Sequence, residues 1–122
     1  MIKMFWNDSE LNIGVASSDA IEAPLNSVLD KFYDLSEAEN SFLGLKKSDN
    51  DIIQFAYLRE DIWLVDIPVM AERGSYMKEC EYQDCVDIIR NYYTDSWRIP
   101  SQFTLRNGND LRQISSCTIT RR

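Results

Sequence analysis

The chain has 122 residues, 44% of them hydrophobic and 11% aromatic, and a formal net charge of −7. That length suits one domain, residues 1–122, which buries roughly two-thirds of its unfolded surface and needs no disulfide or metal to fold. No apolar run approaches the roughly 20 residues that span a bilayer, and Met1 to Glu10 has no long apolar segment of the kind a secretory signal carries, so the expected location is the cytoplasm.

The elements follow in chain order. Met1–Trp6 and Leu11–Ala16 are short apolar runs around Asn7-Asp8-Ser9-Glu10, which predicts an N-terminal hairpin. Pro24 suits the first turn of a helix. After it Leu25, Val28, Leu29, Phe32 and Tyr33 form one helical stripe, with Asn26, Asp30, Lys31 and Asp34 outside it. This helix is expected to end near Ser36. Ser41–Leu45 reads as a short strand, and Lys46–Asp51 as a polar turn.

Ile52–Leu58 and Ile62–Ile67 are β-rich runs separated by the polar turn Arg59-Glu60-Asp61. Alternation places Ile53, Phe55, Tyr57, Trp63, Val65 and Ile67 in the core. The faces carrying Gln54 and Asp66 are expected outward or at an edge, where an acid blocks unwanted strand pairing. Val69–Lys78 reads as a loop containing Gly74, and Gly44 and Gly74 read as turn glycines. A second helix is expected to begin at 79–81. Its stripe is Tyr82, Cys85, Val86, Ile89, Tyr92 and Tyr93, and its polar face holds Glu81, Asp84, Asp87 and Arg90. Of the two tyrosines, one is expected to pack inward and the other to cover the helix flank. Phe103–Arg106 and Leu111–Thr120 flank Asn107-Gly108-Asn109-Asp110, a hairpin turn sequence. Residues 112–122 read as an edge strand or a mobile basic tail. The fold class is therefore α+β: a central antiparallel sheet of five to six strands, built of hairpins and a meander, with two helices packed on it.

The chain contains no histidine, which removes the commonest general base, metal ligand and activator of a nucleophile. Cys80, Cys85 and Cys117 form no Cys-x-x-Cys and read as reduced thiols, buried or half-buried, with a redox role as the alternative. Asp49 and Asp51 flank Asn50 without the glycine and the bidentate glutamate of a calcium loop, so they read as a solvated turn. No catalytic set, metal site or cofactor is expected. Carboxylate-only catalysis centred on Asp66 is the weakest alternative.

Charge is divided unevenly. Residues 1–97 hold 19 acids and 8 bases, and residues 98–122 hold 1 acid and 5 bases. An acidic body repels phosphate backbones and attracts basic proteins, so binding to a basic partner is expected, and direct contact with nucleic acid is not.

One further signal is the order of motifs between Ser41 and Thr94. Phe42-Leu43-Gly44-Leu45, Asp49-Asn50 leading into Ile53-Gln54-Phe55, Trp63-Leu64-Val65-Asp66-Ile67-Pro68, Gly74-Ser75-Tyr76 and a helix ending in Tyr92-Tyr93 together resemble small immunity proteins of bacterial polymorphic toxin systems, in particular those of contact-dependent growth inhibition. The resemblance implies a cytosolic inhibitor that binds one cognate toxin domain, often a nuclease, and blocks its active site or an adjacent surface. Charge and expected exposure select Glu37, Glu39, Asp49, Asp51, Glu60, Asp61, Asp84 and Asp87 as toxin-binding residues. The alternative is a non-enzymatic adaptor or subunit of another complex. Monomer and homodimer both remain open.

Overall fold

The computed structural model describes residues 1–107. Eight antiparallel strands and two helices make an α+β fold, as expected, with more strands than the sequence signals suggest. The strands are β1 (Lys3–Asp8), β2 (Ile13–Val15), β3 (Ile21–Glu22), β4 (Phe42–Ser48), β5 (Asp51–Arg59), β6 (Ile62–Val69), β7 (Gly74–Glu81) and β8 (Thr104–Asn107). Helix α1 (Leu25–Asp34) lies between β3 and β4, and α2 (Tyr82–Tyr92) between β7 and β8. The sheet order is β2-β1-β4-β5-β6-β7-β8, with β3 also paired to β1. From β4 to β7 this is a simple meander, which needs only short connections.

Register assigns the faces. Leu43, Phe55 and Val65 lie opposite one another on β4, β5 and β6, as do Leu45 and Ile53, and Trp63 and Cys80. These side chains are buried with Val28, Phe32 and Leu35 from α1 and its end, and with Cys85, Val86, Ile88, Ile89 and Tyr92 of α2. Both helices therefore cover one face. Burying each large apolar side chain in this layer stabilises the fold by roughly 1.5–3 kcal/mol before conformational entropy is charged. Of the six residues expected in the core, Ile53, Phe55, Trp63, Val65 and Ile67 are buried, and Tyr57 is only half-buried. Its hydroxyl end reaches the sheet margin among charged turns.

The opposite face carries no helix among the described residues. A row of Phe5, Gly44, Gln54, Asp66, Met77 and Thr104 runs across it in register. Asp66 lies on this outward face, one of the two expected places, but it is not exposed there. It stands on β6, which is paired on both sides, and it is buried rather than at an edge. Gly44 is mid-strand, not in a turn. A Cβ there would overlap the ring of Phe5, so its missing side chain is what lets Phe5 lie flat across β4.

The expected loop 69–78 is for the most part a strand. Val69 ends β6, Met70–Glu72 form a 3-10 turn, and Arg73 takes a left-handed conformation before β7. β7 escapes pattern reading because each of its faces mixes polar and apolar residues: Tyr76, Lys78 and Cys80 point to one side, and Ser75, Met77, Glu79 and Glu81 to the other. This strand also delays α2, which starts at Tyr82 rather than at 79–81. Phe103–Arg106 does contribute a strand, β8, while the turn around Gly108, Leu111–Thr120 and Cys117 lie outside the described residues. Tyr92 and Tyr93 divide as expected. Tyr92 is buried and donates to Asp51, and half-buried Tyr93 donates to the Ala23 carbonyl at 2.6 Å. Among the described residues no helix is long and apolar enough to cross a membrane.

Candidate binding surface at the acidic end of the sheet

The meander sends alternate turns to opposite ends of the sheet. One end collects the β1–β2 turn, the segment between α1 and β4, the β5–β6 turn and the start of α2. Asp34, Glu37, Glu39, Glu60, Asp61 and Glu81 are exposed there. Two cations accompany them: Arg59 is held by Glu79 at 2.6 Å, and Lys31, in the last turn of α1, lies over the Trp6 ring at 3.8 Å. Lys46, Lys47, Arg73 and Arg90 lie toward the other end, interspersed there with Asp49, Asp51 and Glu72, so acids predominate only at the first end.

Glu37, Glu60 and Asp61 converge on one group. Burial raises the Tyr57 phenol above its ordinary value, and these three carboxylates raise it further. Tyr57 meets Trp63 edge-on at 5.5 Å, Trp63 meets Phe32 at 4.7 Å, and Phe32 stacks on Tyr82 at 5.1 Å. Tyr82 in turn meets Tyr33 edge-on at 6.5 Å. The ladder thus runs from the acidic turns through the core and back to the surface. Tyr33 ends it with 76% of its area exposed. The Tyr82 phenol is also raised, by burial first and then by Tyr33, Cys85 and Asp34.

The segment that displays Glu37 and Glu39 is fastened to β1. Asp8, itself buried, accepts from the backbone N–H groups of Glu10 and Leu11, and from the N–H and hydroxyl of Ser36. The Ser9 hydroxyl donates to the Glu39 carbonyl, and the Ser9 N–H to the hydroxyl of fully buried Ser41. The Asn7 amide donates to the Asn40 carbonyl at 3.0 Å. Asn12, Asn40 and Asp61 take left-handed backbone conformations at this end, which Asn and Asp tolerate best after glycine. Asp61 is therefore a turn residue as well as a charge. The result is a set of carboxylates presented by short, hydrogen-bonded turns.

The other four of the eight expected residues lie elsewhere. Asp49 is exposed in the β4–β5 turn with Lys46 at 3.6 Å. Asp51 is half-buried, accepts the Tyr92 hydroxyl at 2.9 Å, and lines a cleft of about 430 Å³ with Ile52, Pro68, Met70, Trp97 and Ile99. Asp84 and Asp87 are exposed on α2 beside a groove of about 340 Å³. The eight residues thus divide among three places, and Glu37, Glu39, Glu60 and Asp61 share one.

Tyr33 and Asp34 are the residues the sequence reading missed. Tyr33 belongs by spacing to the apolar stripe of α1, yet it is exposed, and only Val28 and Phe32 of that stripe are fully buried. Its position at the margin of the stripe, next to an acid, is the signal available in the sequence. Among the described residues no group of three or more Cys, Asp or Glu side chains is arranged to hold a metal ion. Comparison with protein-family models, with curated proteins and with solved structures returned no match to the chain.

Proposed function

We propose that this chain is a cytoplasmic immunity protein that neutralises a cognate, basic toxin domain of the nuclease kind by covering it, without chemistry of its own. The observation that carries the reading is the acidic end: Glu37, Glu60 and Asp61 gather around Tyr57 on short turns, and an aromatic ladder leads from there through the core to exposed Tyr33, beside Asp34 at the end of α1. Such a surface suits a nuclease face that is itself basic in order to hold phosphates. The carboxylates steer encounter, and Tyr33 supplies a rigid aromatic contact of the kind that dominates interface energies. The ladder behind Tyr33 keeps its cost of ordering low.

Co-expression with the toxin domain encoded by the adjacent upstream reading frame tests the proposal. Cells should survive with the native chain and die when Glu37, Glu60 and Tyr33 are replaced together by Lys, Lys and Ala. A neighbouring product that is harmless alone, or that kills in the presence of the native chain, rejects it.

The second reading, an adaptor or subunit, draws on the cleft at the opposite end, where Met70 is 71% exposed beside Trp97 and Ile99. Two separated contact surfaces are what a bridging subunit needs. Purification of the tagged chain from its host separates the readings, since a single stoichiometric toxin supports the first and a multi-protein assembly the second.

A further inference from the structure

Among the described residues seven large hydrophobic side chains are exposed, and four of them, Met1, Leu11, Ile13 and Ile21, gather along one margin of the sheet. The topology brings them there. β2 and β3 both pair with β1, whose other neighbour is β4. Leu11 lies in the β1–β2 turn, and Met1 precedes β1 where the Ile2 carbonyl accepts the Ala23 N–H at 3.1 Å. Residues directly opposed on antiparallel strands project to the same face. Ile13 lies opposite Asp8, Val15 opposite Trp6 and Ile21 opposite Met4. Met4 belongs to the core, Trp6 lies under the Lys31 ammonium of α1, and Asp8 bonds to Ser36 just beyond α1. The row Ile13, Val15 and Ile21 therefore points to the helix side. α1 reaches Trp6, but Ile13 and Ile21 keep 51% and 52% of their area exposed. The helix layer thus ends one place short of the sheet, and an apolar shelf remains beside α1.

We propose that this shelf takes a basic amphipathic helix of the partner, laid beside α1 so that it completes the helix layer. Single exposed hydrophobic residues need no explanation, but a row of them on one face marks a contact surface. The residues opposite Ile13 and Ile21 are four positions apart on β1, which is about 13 Å. A helix covers that length in about nine residues, so one apolar stripe meets the whole row.

Charge selects the kind of helix. The stretch from Glu10 to Glu22 holds three acids, Glu10, Asp19 and Glu22, all exposed, and neither Lys nor Arg. The two nearby cations are engaged: Lys3 lies opposite Glu22, and Lys31 over Trp6. An apolar row set among acids favours a stripe flanked by Lys or Arg. A second copy of this chain would bring the same acids against one another. The shelf is also continuous with the acidic end, because Asp8 and Ser9 tie the β1–β2 turn to the segment that bears Glu37 and Glu39. It gives that contact the apolar area which carboxylates do not supply. The inference rests on the binding proposal for the identity of the partner, but not for the shape or charge of the site.

The probe is a synthetic helix of about 14 residues with leucine on one face and lysine on the other. Added to the full chain, it should shift backbone amide resonances between residues 10 and 22 and in α1. Ile13→Ser with Ile21→Ser should weaken its binding at least tenfold, and the same peptide with glutamate for lysine should not bind. Both positions are exposed, so the variant should keep the native circular dichroism. The proposal is overturned if the shifts fall elsewhere, if the double variant binds equally well, or if a peptide of alternating leucine and lysine, which favours a strand, binds as tightly as the helix. It is also overturned if light scattering finds a native dimer that Ile13→Ser with Ile21→Ser dissociates. Co-expression with the toxin domain of the adjacent frame then separates the two proposals. Ile13→Lys with Ile21→Lys should fail to protect. If the native chain and this variant protect alike, the shelf is rejected and the binding proposal stands. If the native chain does not protect, the binding proposal is rejected and the peptide still decides the shelf.

Discussion

The Asp8 carboxylate accepts two hydrogen bonds from Ser36, one from its N–H at 3.0 Å and one from its hydroxyl at 2.9 Å. Residues 28 positions apart are joined through one oxygen, while the other oxygen closes the β1–β2 turn on Glu10 and Leu11. Asp8→Ala leaves four donors to find other partners. It should destabilise the fold by about 2–3 kcal/mol, read as a lower urea midpoint. The pH dependence has a definite sign. Burial alone would raise the Asp8 pKa, but the bonds from Leu11, Ser36 and Glu10 outweigh it and hold the value below normal. The unfolded chain then binds the proton more readily than the folded one. The contribution is complete above the unfolded carboxylate value of about 3.9 and is lost as pH falls through the lower folded value. A stability profile in acid should be flatter in Asp8→Ala than in the native chain.

At the alkaline limit the sign reverses. Burial pushes the Tyr93 phenol up to about 12, and burial followed by the bond to Asp51 drives Tyr92 higher still. The unfolded chain releases these protons near pH 10, before the folded one does. The stability they contribute is complete below about pH 10 and declines as pH rises through the folded values. Tyr93→Phe should lower stability at neutral pH by about 1 kcal/mol through loss of the bond to Ala23, and should also reduce the steepness of alkaline unfolding followed by circular dichroism.

Some of this architecture is open to reading from residue order, and some is not. The two helices and the β5–β6 hairpin announce themselves because their apolar residues recur with one period over most of an element. β7 does not, because Lys78 and Glu79 interrupt both of its faces, and its location is decided by pairing with β6 along its whole length. The burial of Asp66 is hidden for a related reason. Its strand looks like an edge only if β7 is read as a loop. At the surface, exposure of the carboxylates follows from charge, but their grouping does not. Glu37 and Glu60 are brought together by the meander and by Asp8, neither of which leaves a local pattern.

Gly44 and Phe5 face each other across β1 and β4. Gly44→Ala places a methyl group inside the volume of the Phe5 ring, and both positions are buried. The ring must leave its rotamer or the strands must part, at a cost of about 1–3 kcal/mol. Phe5→Leu alone should also destabilise, by loss of buried area and of the edge contact with Phe42 at 6.2 Å. The double variant should be less destabilised than the sum of the two, because the smaller side chain relieves the overlap. Thermal or urea unfolding of the four chains measures that coupling directly.

Tyr33 and the carboxylates gathered at Tyr57 should separate affinity from stability. Tyr33→Ala removes an exposed ring, so the melting temperature should move little, within about 0.5 kcal/mol of stability. Binding of the cognate basic domain should weaken roughly tenfold or more, with most of the change in dissociation, as expected for a central aromatic. Glu37→Lys and Glu60→Lys should act on the other rate. They reverse charge at exposed positions, so association should slow and its dependence on salt should flatten. Asp61→Asn is the matched control, since asparagine keeps the left-handed turn and removes only the charge. Surface plasmon resonance at two salt concentrations reads all four variants. Equal association rates for native and Glu60→Lys chains would place the contact away from this end of the sheet.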